Sequence, residues 1–433
     1  MRSQTVETKI QEIAEQAEEY PEMVFTTLAH RMDVEWLREA YRRTNKSSAA
    51  GVDGVTAAEY GANLEENLQE LHERMVKGVY KAPPVERVWL EKDDGRKRPI
   101  GKPTFEDKIV QRAVAMLIEP IYEQEFYDFS HGFRRGHSAH QALHELKEKC
   151  QKENANWVVD ADVSKFFDEI RHDQLQEFIK QRVNDGGIMR LIGRWLKAGV
   201  MEAGHLTYAE KGSPQGGVIS PMLANIYLHY VLDEWYAQVV KPRLKGRSFL
   251  IRYADDFIIG CELESDAQRI MKVLPRRFER YGLTIHPEKT KLVKFGKPPK
   301  RGTGGPKKAE SYDFLGFTHY WARSRQGYWV IKRKTARKRQ RRSIKAMWEW
   351  CKNNRHLPIR EQHQKLCQKL RGHYQYYGVR HNYLQMKEVY QEVIKGWRYW
   401  LNRRGNRKRM IWEKFNEIFT LFPLPKPRIM HAI

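Results

Sequence analysis

The run Phe249-Leu-Ile-Arg-Tyr-Ala-Asp-Asp-Phe-Ile-Ile259 sets two apolar, β-branched segments on either side of Tyr253-Ala-Asp-Asp256. A four-residue centre of this kind suits a tight hairpin, because Asp tolerates turn geometry and left-handed backbone angles. Two adjacent carboxylates at such a tip repel each other. A divalent cation with oxygen ligands relieves the repulsion, magnesium at about 2.0–2.1 Å. Taken alone, the pair reads more simply as a solvated turn.

A second stretch, Trp157-Val-Val-Asp-Ala-Asp-Val-Ser-Lys-Phe-Phe-Asp168, changes that balance. It reads as a buried strand ending at Asp162 and running into paired aromatics. Period-two alternation puts Asp160 and Asp162 on one strand face, so either could reach a metal. Carboxylates from separate strands are what a two-metal phosphoryl-transfer site requires, with cations roughly 3.5–4 Å apart.

Charge narrows the partner. The 433 residues hold 78 Lys+Arg and 54 Asp+Glu, a formal charge of +24. Residues from Lys291 onward contain 36 basic and 8 acidic side chains, leaving 42 and 46 before them. The whole cationic surplus is therefore C-terminal, and it implies a polyanionic partner, nucleic acid before an anionic membrane. The longest uncharged run, Ser213 to Leu232, holds Gln215, Asn225 and His229, and the opening Met1-Arg-Ser-Gln lacks a secretory apolar segment. The expectation is no membrane span and no export. Cys150, Cys261, Cys351 and Cys367 form no Cys-x-x-Cys pair and read as free thiols of a reducing compartment.

Apolar spacing predicts helices through most of residues 1–80, a basic hairpin over Val85–Lys92 and Arg96–Gly101, and a helix over Phe105–Tyr122. Mixed elements follow to about Trp321. From Lys332 the pattern predicts basic helices, broken near Pro358, Gly372, Gly405 and Pro423. Nine cations fall within Lys332–Lys345, and Arg337, Arg341 and Lys345 make a stripe at four-residue spacing. Tyr377, Trp397 and Trp400 are expected to pack between helices rather than stack on bases.

With these motifs in chain order, the sequence resembles the reverse transcriptases and maturases encoded by bacterial group II introns. Tyr253–Asp256 and Asp162-Val-Ser-Lys-Phe-Phe167 match two active-site motifs. The segment Gly212-Ser-Pro-Gln-Gly-Gly-Val-Ile-Ser-Pro-Met-Leu-Ala-Asn225 matches a longer and more specific one. Tyr281-Gly-Leu-Thr-Ile-His-Pro-Glu-Lys-Thr290 and Phe314-Leu-Gly-Phe317 match the two that follow, and Asn45–Gly54 resembles the N-terminal extension motif. Ser130–His140 resembles a finger motif, with Arg135 standing where the family usually has Pro.

The resemblance implies an α+β right-hand polymerase, with fingers and an antiparallel ferredoxin-like palm followed by an all-helical thumb. Its expected domains are an N-terminal extension (1–80), fingers and palm (81–321) and thumb or domain X (322–433). It implies Asp162, Asp255 and Asp256 as catalytic carboxylates holding two Mg2+ ions with the Val163 carbonyl, Asp160 standing by. Lys92, Arg98, Phe167, Gln215 and Tyr253 fall to the incoming dNTP, Phe167 as a steric gate against a 2′-hydroxyl and Phe166 as core. Arg134, Lys334, Arg337, Lys338, Arg341, Lys345, Arg371, Arg403 and Arg404 fall to nucleic acid. The implied partners are intron RNA, an RNA template with DNA primer, target DNA and dNTPs, in a bacterial cytoplasmic ribonucleoprotein, with a dimer left open and no endonuclease domain. An RNA-binding splicing cofactor without polymerisation, and a related reverse transcriptase in phage defence or CRISPR adaptation, stand as alternatives. An RNA-dependent RNA polymerase is disfavoured by Phe167.

Overall fold

The computed structural model describes residues 5–91, 97–202, 205–207, 211–212, 216–298, 309–404 and 411–433. Near the N-terminus lie the helices Val6–Glu19, Val34–Arg43, Ala57–Ala62 and Leu64–Val76. Their starts are written in the sequence. The Thr5 hydroxyl accepts from the Thr8 N–H, Asp33 accepts from Trp36, and Thr56 with Glu59 forms a reciprocal capping box. The first two helices and Ala57–Ala62 pack on the helix Phe105–Glu125, which is buried along most of its length. Trp36 is fully buried there, and its indole N–H donates to the Ala113 carbonyl at 3.0 Å.

Thirteen strands occur among the described residues: β1 (Val85–Glu91), β2 (Lys97–Lys102), β3 (Trp157–Ala161), β4 (Val163–Ser164), β5 (Val200–Glu202), β6 (His205–Thr207), β7 (Ser248–Tyr253), β8 (Asp256–Cys261), β9 (Thr284–Ile285), β10 (Lys291–Lys294), β11 (Tyr312–Phe314), β12 (Phe317–Arg323) and β13 (Trp329–Thr335). They form sheets of order β2-β1-β5-β6, β10-β3-β8-β7 and β11-β12-β13, with β4 paired to β9. The basic hairpin expected from Val85 is β1 and β2, antiparallel with Leu90 opposite Arg98.

The chain clusters into two compact units. One comprises 1–138, 161–259 and 265–291, and the other 139–160, 260–264 and 292–433. A buried carboxylate organises part of the first: Asp107 Oδ1 accepts from the Tyr80 hydroxyl at 2.6 Å and the Trp195 indole at 2.7 Å, while Oδ2 accepts from Gln111 at 2.9 Å. Burial pushes this carboxyl up, against the pull of its three donors.

In the second unit, helices Arg337–Asn353, Ile359–Tyr377, Tyr383–Leu401 and Trp412–Leu421 share a core around Leu366, Leu370, Val389, Val393 and Trp397. Trp397 is fully buried, and Tyr377 and Trp400 pack against the same core, as the sequence suggested. Two expectations change. Residues Lys332–Thr335 belong to β13, where Arg333 and Thr335 point inward and Lys334 outward, because Trp-Val-Ile-Lys-Arg-Lys-Thr alternates at period two. Asn382 then anchors the strand end, accepting from the Thr335 N–H at 2.7 Å and donating to its hydroxyl at 2.8 Å. Gly372 does not break a helix; it sits exposed inside Ile359–Tyr377, which ends at Gly378.

Helix Ser220–Leu228 continues into π-helical turns, His229–Asp233 and Trp235–Val240. His229 is buried among Phe126, Tyr127 and Tyr230, with its Nδ1 lacking a partner. Burial pushes its pKa down to about 3, helped by the Arg252 and Arg134 charges. Below pH ~6.5 the unfolded chain takes up a proton that the folded ring refuses, so folding stability falls as pH falls from ~6.5 toward the folded value. This ring alone contributes a slope of up to ~1.4 kcal/mol per pH unit. Denaturant unfolding at pH 5 and pH 7 checks this: His229→Phe should lose measurably less stability on acidification than the parent.

Candidate active site

The hairpin tip between β7 and β8 is held from behind. Ala254 adopts φ +57 and is almost buried, while Asp255 is half-buried and Asp256, which opens β8, is exposed. Arg252, the residue before Tyr253, is fully buried and forks onto Asp233, also fully buried, at 2.7 and 2.5 Å. Its remaining Nη1 donates to Asn225 Oδ1 at 3.0 Å and to the Ala254 carbonyl at 3.1 Å. Asn225 in turn donates to the Gly132 carbonyl at 2.6 Å. Gly132 passes so close beneath the tip that a Cβ there would lie 2.2 Å from the Ala254 nitrogen. Backbone bonds from His131 to Arg252 and from Arg252 to Phe129 complete the clamp.

The π-helical turns matter here, since they carry Asp233 on the same segment as Asn225 and His229. Burial pushes the Asp233 carboxyl up, and the Arg252 guanidinium opposes that shift. Such a pair is stable only when every donor and acceptor is used, which is the case for the forked contacts here.

Asp162 reaches the same end of the sheet by a different route. β3 and β8 are neighbours. Just before β3, the Asn156 N–H donates to the Cys261 carbonyl at the end of β8, so the strands run antiparallel and the far end of β3 lies beside the start of β8. Asp162 follows β3 and Asp256 starts β8. The strand stops at Ala161 because the backbone groups of Asp162 turn elsewhere: its carbonyl accepts from His286 at 2.8 Å and its N–H donates to Thr290 Oγ1 at 3.3 Å. The β3 ladder ends at Ala161, so Asp160 and Asp162 are held by different backbone pairings. Val163 pairs with Ile285 in the short β4–β9 ladder.

The Asp162 carboxylate accepts from Lys289 at 2.7 Å. Among the described residues, no three His, Cys, Asp or Glu side chains converge closely enough to ligate one ion. The donor set at the tip is nonetheless all oxygen, the chemistry that magnesium takes, and Asp162 is already drawn to a cation.

Phe166 is buried and Phe167 half-exposed, with their rings edge to face at 5.3 Å. Two glycines of the Gly212–Asn225 segment sit where only glycine fits. At Gly212 (φ +97) a Cβ would crowd the Phe167 and Asp168 carbonyls, and at Gly216 (φ +111) it would lie 2.3 Å from the Gly101 carbonyl of β2. Gln215 and Lys92 lie outside the described residues; Arg98 is described only by its backbone pairing. Tyr253 is half-buried at the end of β7.

Arg134 does not face a ligand. Its side chain is buried, bonded to Glu123 at 2.6 and 2.9 Å and to the Tyr127 and Ser130 carbonyls, which consumes its donors within the loop. Lys334, Arg337, Lys338, Arg341, Lys345, Arg371, Arg403 and Arg404 are exposed. Lys345 faces Glu349 at 3.7 Å, Arg403 lies over the Tyr399 ring, and Arg404 donates to the His356 and Leu357 carbonyls. The residues missed from sequence are Asp233, Asn225, Gly132, Asp107 and Lys289. Asn225, His229 and Asp233 recur every four residues in an otherwise apolar run, and that polar stripe is the signal that could have exposed the first two.

A carboxylate pair on a clamped hairpin, a third carboxylate at the end of the neighbouring strand and a following helical region define a right-hand nucleic-acid polymerase. The family described as "Reverse transcriptase (RNA-dependent DNA polymerase)" matches residues 90–319, and the chain belongs to it. It is 37% identical over 271 residues to Protein YkfC of Escherichia coli (strain K12), covering 54% of this chain and 71% of that protein. It is 36% identical over 236 residues to the Group II intron-encoded protein LtrA of Lactococcus lactis subsp. cremoris, covering 53% of this chain and 38% of LtrA. It is 27% identical over 320 residues to the Putative COX1/OXI3 intron 1 protein of Saccharomyces cerevisiae, covering 63% of this chain and 38% of that protein. The chain thus spans well under half of both intron proteins.

Removing one partner of the buried pair should be costly. Asp233→Ala is expected to lower unfolding free energy by roughly 3–5 kcal/mol, while Asp233→Leu with Arg252→Met costs much less. Urea titration of both variants measures the difference.

Proposed function

We propose that the protein is an RNA-directed DNA polymerase that also binds a group II intron RNA as a splicing maturase. The observation that carries the reading is the clamped Asp255–Asp256 tip beside Asp162. Family membership and the similarity to LtrA support it.

Asp162, Asp255, Asp256 and the Val163 carbonyl would hold two Mg2+ ions, which activate a primer 3′-hydroxyl and steady the departing pyrophosphate. The chain's own residues do the rest. Lys92 and Arg98 grip the triphosphate of a dNTP. Phe167 fills the space a 2′-hydroxyl would need, and Tyr253 and Gln215 line the nucleotide site. Close backbone packing sets Gly212 against the Phe167 turn and Gly216 against β2. Residues 1–80 act as an N-terminal extension, 81–321 as fingers and palm and 322–433 as a thumb. The exposed cations from Lys334 to Arg404 bind RNA by shape and phosphate, as A-form RNA demands. Template RNA with DNA primer, target DNA and intron RNA are the macromolecular partners. No helix among the described residues is long and apolar enough to cross a membrane.

Two experiments separate the roles. Asp255→Ala with Asp256→Ala should abolish primer extension on an RNA template while leaving intron RNA binding and splicing assistance intact; joint loss of all three would contradict the division. Phe167→Ala should raise incorporation of ribonucleotides relative to deoxynucleotides by tenfold or more, about 1.4 kcal/mol of discrimination. Unchanged selectivity removes Phe167 as the gate.

A further inference from the structure

The helix Gly186–Leu196 carries Arg190 and Arg194 on one face, with Lys197 continuing that face just past its end. These three positions, three or four residues apart, stack their side chains along one line. Lys81 and Pro84, at the root of β1, lie across from them, and together they line an open cleft of about 480 Å³ with no carboxylate among its described lining residues.

Arg194 is engaged, donating to the Gly78 and Tyr80 carbonyls and tying the helix to the β1 approach. Lys81, Arg190 and Lys197 make no hydrogen bond or ion pair with any described residue. The neighbouring helix C-terminus offers at most about half a negative charge. Three cations facing one cleft, none paired with a described residue, therefore outweigh it several-fold, and their combined field attracts an anion.

The shape selects among anions. Arg190 to Lys197 spans about 10 Å along the helix axis, at 1.5 Å per residue. That is more than one phosphate ion covers and suits successive phosphates of a strand. We propose that this cleft binds the phosphodiester backbone of a nucleic-acid strand. It uses residues of the near-neutral half of the sequence and none of those assigned above to the carboxylate centre, the nucleotide or the C-terminal cationic surface. The proposal needs no polymerase activity, so it stands or falls separately from the function argued above.

The test is equilibrium binding of a fluorescein-labelled single-stranded RNA oligonucleotide to the full chain, in EDTA without nucleotides, across a KCl series. For Lys81→Ala with Arg190→Ala and Lys197→Ala, the slope of log affinity against log salt should shrink by about 2, at ~0.7 per lost phosphate contact, and affinity should fall about tenfold or more. The charge-preserving set Lys81→Arg, Arg190→Lys and Lys197→Arg should keep the parental slope. If the triple alanine variant fails to fold, Arg190→Ala alone should reduce the slope by ~0.7. An unchanged slope in a variant that unfolds thermally like the parent overturns the proposal. Millimolar inorganic phosphate erasing the difference between parent and variant also overturns it, because the cleft would then hold a small anion rather than a strand.

Discussion

The forked bond between Arg252 and Asp233 is the constraint on which the Tyr253–Asp256 hairpin depends. Both side chains are fully buried, so leaving either charge without the other is costly. The pair does more than cancel charge. Arg252 immediately precedes the Tyr253–Asp256 turn, and its third contact reaches the Ala254 carbonyl from within. Ala254 must take a left-handed backbone angle to turn the chain. For a residue with a Cβ, that conformation persists only where its surroundings impose it. Here they do: the guanidinium from one side, the Gly132 backbone from the other, and Asn225 joining the two.

A similar logic sets Asp162. Its carbonyl and N–H are claimed by His286 and Thr290, so the strand cannot continue, and the carboxylate is delivered at the sheet end beside the start of β8. The Phe167 turn and β2 are drawn toward the same segment by glycines whose missing side chains permit backbone contact. The turn carrying Asp255 and Asp256 and the backbone of Asp162 are thus held by short-range bonds, while the cations from Lys334 to Arg404 are exposed.

Much of this was legible in the sequence because it is local. The apolar β-branched runs flanking Tyr253–Asp256 and the alternation from Val85 gave the hairpins. Phe166 and Phe167 divided as expected into core and half-exposed positions. What escaped was long-range. Asp107 meets Tyr80 and Trp195 across 27 and 88 residues, and no spacing rule announces such a partnership. Arg134 looked like a phosphate ligand because a basic loop gives no hint that Glu123 will absorb its charge. Lys332–Thr335 was read as helix because its cations run on into a helical stretch. Its alternation, with Ile331, Arg333 and Thr335 inward, was outweighed by composition.

The central claim is that a buried ion pair fixes the turn that presents Asp255 and Asp256. It is tested most directly by single-turnover nucleotide addition on an RNA template as a function of Mg2+ concentration, comparing the parent with Asp233→Asn. Asparagine keeps the shape and removes the charge that holds Arg252. The account predicts a folded protein whose addition rate is at least about tenfold lower, a loss of ~1.4 kcal/mol or more in transition-state stabilisation, with half-maximal rate at higher Mg2+. A parental rate and Mg2+ dependence in folded Asp233→Asn would contradict it.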